Sequence, residues 1–521
     1  MKRIWMFFIL IGIIVGILIG VSNHNDDGTD TTNEDNEIES NEYIDELTLS
    51  LSEIDTLNPL RTKKSHISYI LQLIYEPLFM YDDENQLGPV LADEWMKRDS
   101  LTWIIRIKDN IEWHNGEKLT AQDVAYTINV LINKEIESVY GTNVQKISSV
   151  EVINEKDLVV NLSEPEPHLI SKLTFPIVSK KHFEGPGILD EDISNKMLGT
   201  GPYKYVTEYD SSIILTSNEK WWKNENIKLK TINLNKYSTY SEEIKAFKSA
   251  EIDMILTNMY DWKEKFGFIG INSYKFENTE YEVLIPNTEN KILADNSVRK
   301  AILYGINRAN IVSTIYDENA VISDLPIMSY SKNTELNAEY DIETAKQILM
   351  NGGWKQENGQ WKKDGKTLKF TLLVSEDDKE KTSVSEKIKQ DLEELGIKVT
   401  VKKVSNKEFI SSIENNRFEL AIASIDVKNE YQIQDLVSSG NKHNYANYID
   451  TEMDNLIEEL KRLEGTEYNE KFQEFKSIYK NELPYIGLYF KTNTILTNKS
   501  VKGEYKSTAY EPYKNINNFY K

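Results

Sequence analysis

At 521 residues the chain is too long for one ordinary domain and predicts two or three. Its 40% apolar and 10% aromatic content supports large cores and excludes global disorder, while a net charge of −23 with no basic stripe argues against a nucleic-acid partner. The absence of cysteine excludes disulfides, thiol catalysis, thiolate zinc sites and a lipid carried on cysteine.

The N-terminus predicts export. Lys2 and Arg3 precede an apolar run from Trp5 to Val21, and acids such as Asp26, Asp27, Asp30 and Glu34 follow it. Basic residues on the near side hold that end in the cytoplasm and place the rest outside. The run has the minimum length for a span, roughly 17 to 25 residues. No small-x-small cleavage site stands out, and Val21 occupies the place where a lipoprotein signal would carry Cys. Residues 1–21 therefore read as an uncleaved signal anchor, with a cleaved signal peptide as the alternative. Residues 22–45, rich in Asn, Asp, Thr, Ser and Glu, read as an acidic, disordered tether.

The body alternates β-rich runs with amphipathic helices, an α/β pattern. Leu47 to Leu51 predicts a first strand, and Leu101 to Ile107 another, followed by the turn Asn115-Gly116. Thr120, with Asp123 at the capping-box position, predicts a helix start ahead of Val124, Ile128 and Leu131. Ser297 is expected to cap a helix bearing Val298, Ala301, Ile302 and Ile306. Asp341 is expected to cap another, which stops at Gly352-Gly353. The stretch Ser385 to Leu395 predicts a helix ended by Gly396, then a strand from Ile397 to Val404. These stripes are packing faces and say nothing of chemistry.

Motifs for catalysis are missing: no His-Glu-x-x-His, no Gly-x-Ser-x-Gly and no phosphate loop. The six histidines are scattered, none at metal-ligand spacing, so neither metal nor cofactor is expected. Among 84 acids, no single pair stands out as an acid and base. The 29 tyrosines and 9 tryptophans offer rigid contact area with polar tips, which suits varied ligands, although most must serve packing.

A series of segments carries a resemblance. It comprises Thr56-Leu-Asn-Pro-Leu60, Leu73-Ile-Tyr-Glu-Pro-Leu78, Pro89-Val-Leu-Ala-Asp-Glu-Trp95, and Trp103 to Lys108 leading to Trp113-His-Asn-Gly116 and Leu119 to Val124. Gly199-Thr-Gly-Pro-Tyr203 follows, then Asn218 to Trp222, Val298-Arg-Lys-Ala301 with Ile306-Asn-Arg308, Tyr340-Asp341 with Ala345-Lys346, and Leu395-Gly-Ile397. In order and spacing, over roughly residues 46–500, the chain resembles the family-5 extracellular solute-binding proteins, the dipeptide and oligopeptide importer receptors.

The resemblance implies a bilobed, periplasmic-binding-protein-like α/β fold of the cluster C type that closes on its ligand at a hinge. It implies lobe I from residues 46–75, 179–284 and 489–521, an inserted domain II from 76–178, and a lobe III from 285–488. It further implies a monomeric, non-enzymatic receptor on the outer face of the cell membrane. This receptor would hand oligopeptides to a permease whose ATPase is a separate chain. Nickel complexes, oligosaccharides or a signalling role without import are alternatives within the fold; a surface peptidase would need catalytic groups that the sequence lacks.

By the same resemblance, Asp426, at the end of the run Phe418 to Asp426, is the counter-charge for a peptide's free amino group. The Trp and acidic-Pro context usual around that Asp is absent here. Ser424 shares its strand face. Thr62 to His66 falls where the first lobe lays backbone along the peptide, giving Lys63, Lys64, Ser65 and His66 as ligand contacts. One of the two lysines could meet a C-terminal carboxylate, or both could be solvated. Tyr489 is a further aromatic candidate.

Overall fold

The computed structural model describes residues 44–521, except 85, 185–187, 189–196, 268, 329–336 and 464. The predicted anchor and all but the last two residues of the tether lie outside the described residues. Among the described residues, no helix is long and apolar enough to cross a membrane.

Leucines at every second position build the first strand. In Glu46–Ser52, Leu47, Leu49 and Leu51 are fully buried, and the strand pairs in parallel with Thr231–Tyr237 over seven residues. It belongs to an eleven-stranded sheet. At one end of that sheet lie Lys398–Val404, Lys369–Ser375 and Leu420–Asp426. At the other lie Met254–Thr257, Glu46–Ser52, Thr231–Tyr237, Ser212–Ser217 and Tyr203–Tyr209. Two long antiparallel strands, Ile271–Pro286 and Ile486–Asn498, join the two ends. Their register shifts between Glu277 and Tyr281 and again between Glu282 and Val283. Each shift interrupts the regular pairing of the two long strands.

Helices cover the faces. Lys379–Leu395 buries Val384, Ile388, Leu392 and Leu395 on one stripe, each worth about 2 kcal/mol of apolar transfer. Gly396 ends it at φ 92°, and a Cβ there would stand 2.8 Å from the Gly359 carbonyl oxygen. The helix starts six residues before the predicted Ser385, because Asp378 accepts from the Lys381 amide and caps it. Asp341 caps Ile342–Asn351 as expected. Ser297 does not cap its helix: Asp295 is the N-cap of Asn296–Gly305 and accepts from the Ser297 amide.

A separate core forms around the antiparallel strands Ala92–Asp99, Thr102–Ile107, Asp157–Leu162 and Ile147–Val152. Trp103, Ile105, Val160 and Val124 meet there, with the helix Ala121–Ile132 opened by the predicted Thr120–Asp123 capping box. Where the C-terminal stretch closes the structure, Ile44 and Lys521 exchange two backbone hydrogen bonds of 2.9 Å.

Candidate functional site

Asp426 ends its strand opposite Glu280 in the long strand, and Ser424 sits opposite Glu282. Alternation puts these four side chains on one face of the sheet. The Asp426 side chain is 57% exposed; it accepts from Thr279 Oγ1 at 2.5 Å and lies 3.3 Å from Lys428 Nζ. Its charge also reaches the Tyr69 phenol on the helix Ser65–Leu71, which burial first and then Asp426 push up to about 12. Asp426 and Tyr69 thus come near enough in space for the charge of one to act on the other, although they lie far apart along the chain.

Ser424 is not free for a ligand. Its hydroxyl lies 2.6 Å from Glu282 Oε1 and 3.0 Å from Glu280 Oε1. Behind it stands a charge network that sequence reading missed. Lys491 lies 3.0 Å from Glu280 and 3.4 Å from both Glu282 and Glu380, while Lys381 lies 3.3 Å from Glu282 and 2.5 Å from Asp378. Burial works against the Lys491 ammonium, but Glu282, Glu280 and Glu380 more than reverse it and hold it above the ordinary lysine range. Burial raises the fully covered Glu282, against the pull of the two lysines. The strand alternation of Glu280 and Glu282 was a readable signal; their partners, about a hundred residues or more away, were not.

The other expected contacts fall elsewhere. Lys63 pairs with Glu137 at 2.8 Å and Lys64 with Glu53 at 3.4 Å, all four well exposed. The Lys63 and Lys64 amides donate to Asp55 and to the Thr62 hydroxyl, so these two N–H groups are not offered to a peptide. Ser65 is exposed and opens a helix instead of continuing an extended segment. The His66 ring meets the Ser52 carbonyl at 2.8 Å. Tyr489 is fully buried in the core and donates to the Tyr316 hydroxyl at 3.0 Å, so in this structure its side chain packs. A cavity of about 730 Å³ between Lys300, Tyr304, Asp324, Ile348 and Lys480 shares no residue with the Asp426 face.

The family model described as "Bacterial extracellular solute-binding proteins, family 5 Middle" matches residues 86–443. The chain belongs to this family. It is a solute-binding protein and not an enzyme. The oligopeptide-binding protein AppA of Bacillus subtilis (strain 168) is 24% identical over 493 residues, 91% of this chain and 90% of that one. Among solved structures, the MppA periplasmic murein tripeptide binding protein in its unliganded open form superposes with a TM-score of 0.78 at 18% identity, covering 92% of this chain and 98% of that one. The nickel ABC transporter protein from Bacillus halodurans gives 0.77 at 22% identity, covering 91% and 100%.

The segments that carry the family-5 likeness are mostly structural. Glu76 is buried and accepts from Thr200 Oγ1 at 2.8 Å, Trp221 Nε1 at 3.2 Å and Trp222 Nε1 at 2.8 Å. Gly199 and Gly201 let the backbone pass against Leu73 and Ile74; a Cβ on Gly199 would fall 1.8 Å from the Ile74 oxygen. His114 bridges the same loop, its Nδ1 accepting from the Gly199 amide and its Nε2 meeting the Gly201 carbonyl. Burial keeps that ring neutral, at about 4. The signature thus fastens the four-stranded module to the main sheet.

Proposed function

We propose that the protein captures peptides with a free amino terminus outside the cytoplasm and delivers them to an ABC permease served by a separate ATPase. The observation that carries this is Asp426, an exposed carboxylate at a strand end whose charge reaches the Tyr69 phenol, in a family-5 chain whose curated relatives include oligopeptide-binding proteins. A carboxylate meeting an ammonium in a closing cleft makes a strong charge-assisted bond and discriminates against ligands that lack the amine. Lys428 neutralises the carboxylate before a ligand arrives and can give it up, since both side chains are more than half exposed. Of the other sequence candidates, Ser424 acts from behind as support for the glutamates of the adjacent strand.

Residues 1–21 would hold the receptor to the outer face of the membrane, with residues 22–45 as its tether. The break at Glu277–Tyr281 is where the two lobes would swing.

Calorimetry with defined tripeptides to hexapeptides, after removal of any prebound ligand, tests the proposal. Micromolar binding, about −8 kcal/mol, is the expected result. Asp426→Asn should lose about 3 kcal/mol of it, near a hundredfold, with an unchanged melting temperature. Equal affinity in the variant would remove Asp426 from the site. Binding of a nickel chelate or an oligosaccharide, with none of any peptide, would overturn the substrate class.

A further inference from the structure

Only three residues separate Asp426 from the helix Glu430–Val437, and this connection is held from outside. Asn429 caps the helix, accepting from the Gln432 amide, and the Lys428 amide donates to Gln432 Oε1 at 2.6 Å. The Lys428 carbonyl accepts from the Tyr510 hydroxyl, whose ring stacks on Tyr81 at 4.8 Å. The ring of Tyr431 lies under His168, with centroids 3.6 Å apart and planes 14° from parallel, and Tyr468 stands edge-on to His168 at 5.8 Å. Tyr468 also contacts Tyr431 at 5.7 Å and accepts from Gln434 at 3.1 Å. His168 and Tyr81 belong to the stretch 76–178, the other rings to later parts of the chain.

We propose that His168 is a positioning residue: by stacking on Tyr431 it pins the 427–431 connection and so fixes Asp426 for ligand capture. The inference rests on the reading of Asp426 as the amine anchor.

The chemistry of the clasp requires a neutral imidazole. His168 Nε2 is buried and makes no hydrogen bond among the described residues, so a proton there would have no acceptor. The cations acting on the ring are Lys172 from its own segment, Lys97 from the strand Ala92–Asp99 and Lys461 just after the helix Thr451–Leu460. Across the stack, Glu430 bonds to Tyr468 with Lys476 nearby. Burial, then the three lysines, depress His168 to about 3. A depressed base contributes fully above its free value, near 6.5, and the contribution is lost as pH falls below that value. Glu430, pushed by burial to about 7, has the opposite sign: its contribution is present at low pH and fades as pH rises through 7. The wild-type pH profile alone therefore mixes the two, and a comparison with a non-titrating ring separates them.

The test is amide hydrogen exchange over residues 426–437 in the full chain, without added ligand, for wild type, His168→Ala and His168→Phe. His168→Ala should speed exchange at least tenfold, and His168→Phe, which keeps a stacking ring, should restore it. Relative to His168→Phe at the same pH, wild-type protection should hold at pH 7.5 and fall several-fold at pH 5.5. Peptide affinity of His168→Ala, measured with the same tripeptides to hexapeptides, should drop about tenfold. Unchanged exchange in His168→Ala, or a wild-type to Phe ratio that is flat with pH, overturns the proposal. Should no peptide bind any of the three proteins, the substrate reading fails while the exchange result still decides the role of His168.

Discussion

Replacing Glu76 with alanine is expected to cost about 4 kcal/mol of stability, the sum of three donors left with no acceptor at about 1–3 kcal/mol each, less partial relaxation. Trp221 and Thr200 are almost wholly buried and, among the described residues, turn to no other side chain with these donors. Urea unfolding of wild type and variant would show it as a lower midpoint, with the four-stranded module loosened from the main sheet. Glu76→Gln is the informative partner. Burial raises the Glu76 carboxyl against the pull of Lys223 and the three donors, so its ionised form is costly, and an amide oxygen can still accept. Glu76→Gln should recover part of the loss, since its oxygen can take the Thr200 and Trp222 donors while its NH2 faces the Trp221 indole N–H. An acid with a raised folded-state pKa is most favourable below its unfolded value and loses stability as pH rises through the folded one. Wild type should therefore gain on Glu76→Gln as pH is lowered. Equal losses for Ala and Gln would mean that the carboxylate charge, not its acceptor geometry, holds the junction.

A second large effect is expected at the pair Arg308–Asp324, 2.6 Å apart and with side chains 3% and 7% exposed. Arg308 also donates to the carbonyls of Gly487 and Ala338, and Asp324 accepts from the Ala338 amide. Asp324→Ala leaves a buried guanidinium without counter-charge and should cost about 3–5 kcal/mol. The double variant Arg308→Met with Asp324→Ala removes both charges and should be less damaged than the single one. A double variant as unstable as the sum of both singles would show that the bonds to backbone carbonyls, not the ion pair, dominate.

Local signals in the sequence located many elements. Leu47, Leu49 and Leu51 alternate, Asp341 precedes a helical stripe, and Gly396 sits where a helix must turn left-handed; each is decided within a few neighbours. Ser297 shows the limit of such reasoning, since two acceptors stood two residues apart and Asp295 took the cap. The site was legible only in part. Asp426 was singled out by the family-5 resemblance and not by any local pattern, and Ser424 followed from it by alternation. The pairing of Ser424 with Glu282, and of Glu282 with Lys381 and Lys491, is set by sheet order across some two hundred residues, which no local pattern encodes. Tyr489 looked like a binding aromatic because a tyrosine carries the same polar tip in a cleft as in a core. In this structure it lies buried and bonded to Tyr316. The His168–Tyr431 stack joins two residues 263 positions apart by number, and neither stood out along the chain.

The two backbone hydrogen bonds between Ile44 and Lys521 make the body a ring in all but covalent connection. Chain order and spatial order are thereby uncoupled: residue 521 can be spliced directly to residue 44 and new ends cut at an exposed tip such as Asn358-Gly359 without crossing either long strand. In such a circular permutant the chain ends move from the Ile44–Lys521 junction to the turn at Asn358-Gly359, while the strand order and the crossing stay as they are. Where the chain starts and stops is thus a property of its route, separable from the strand pairing that builds the body.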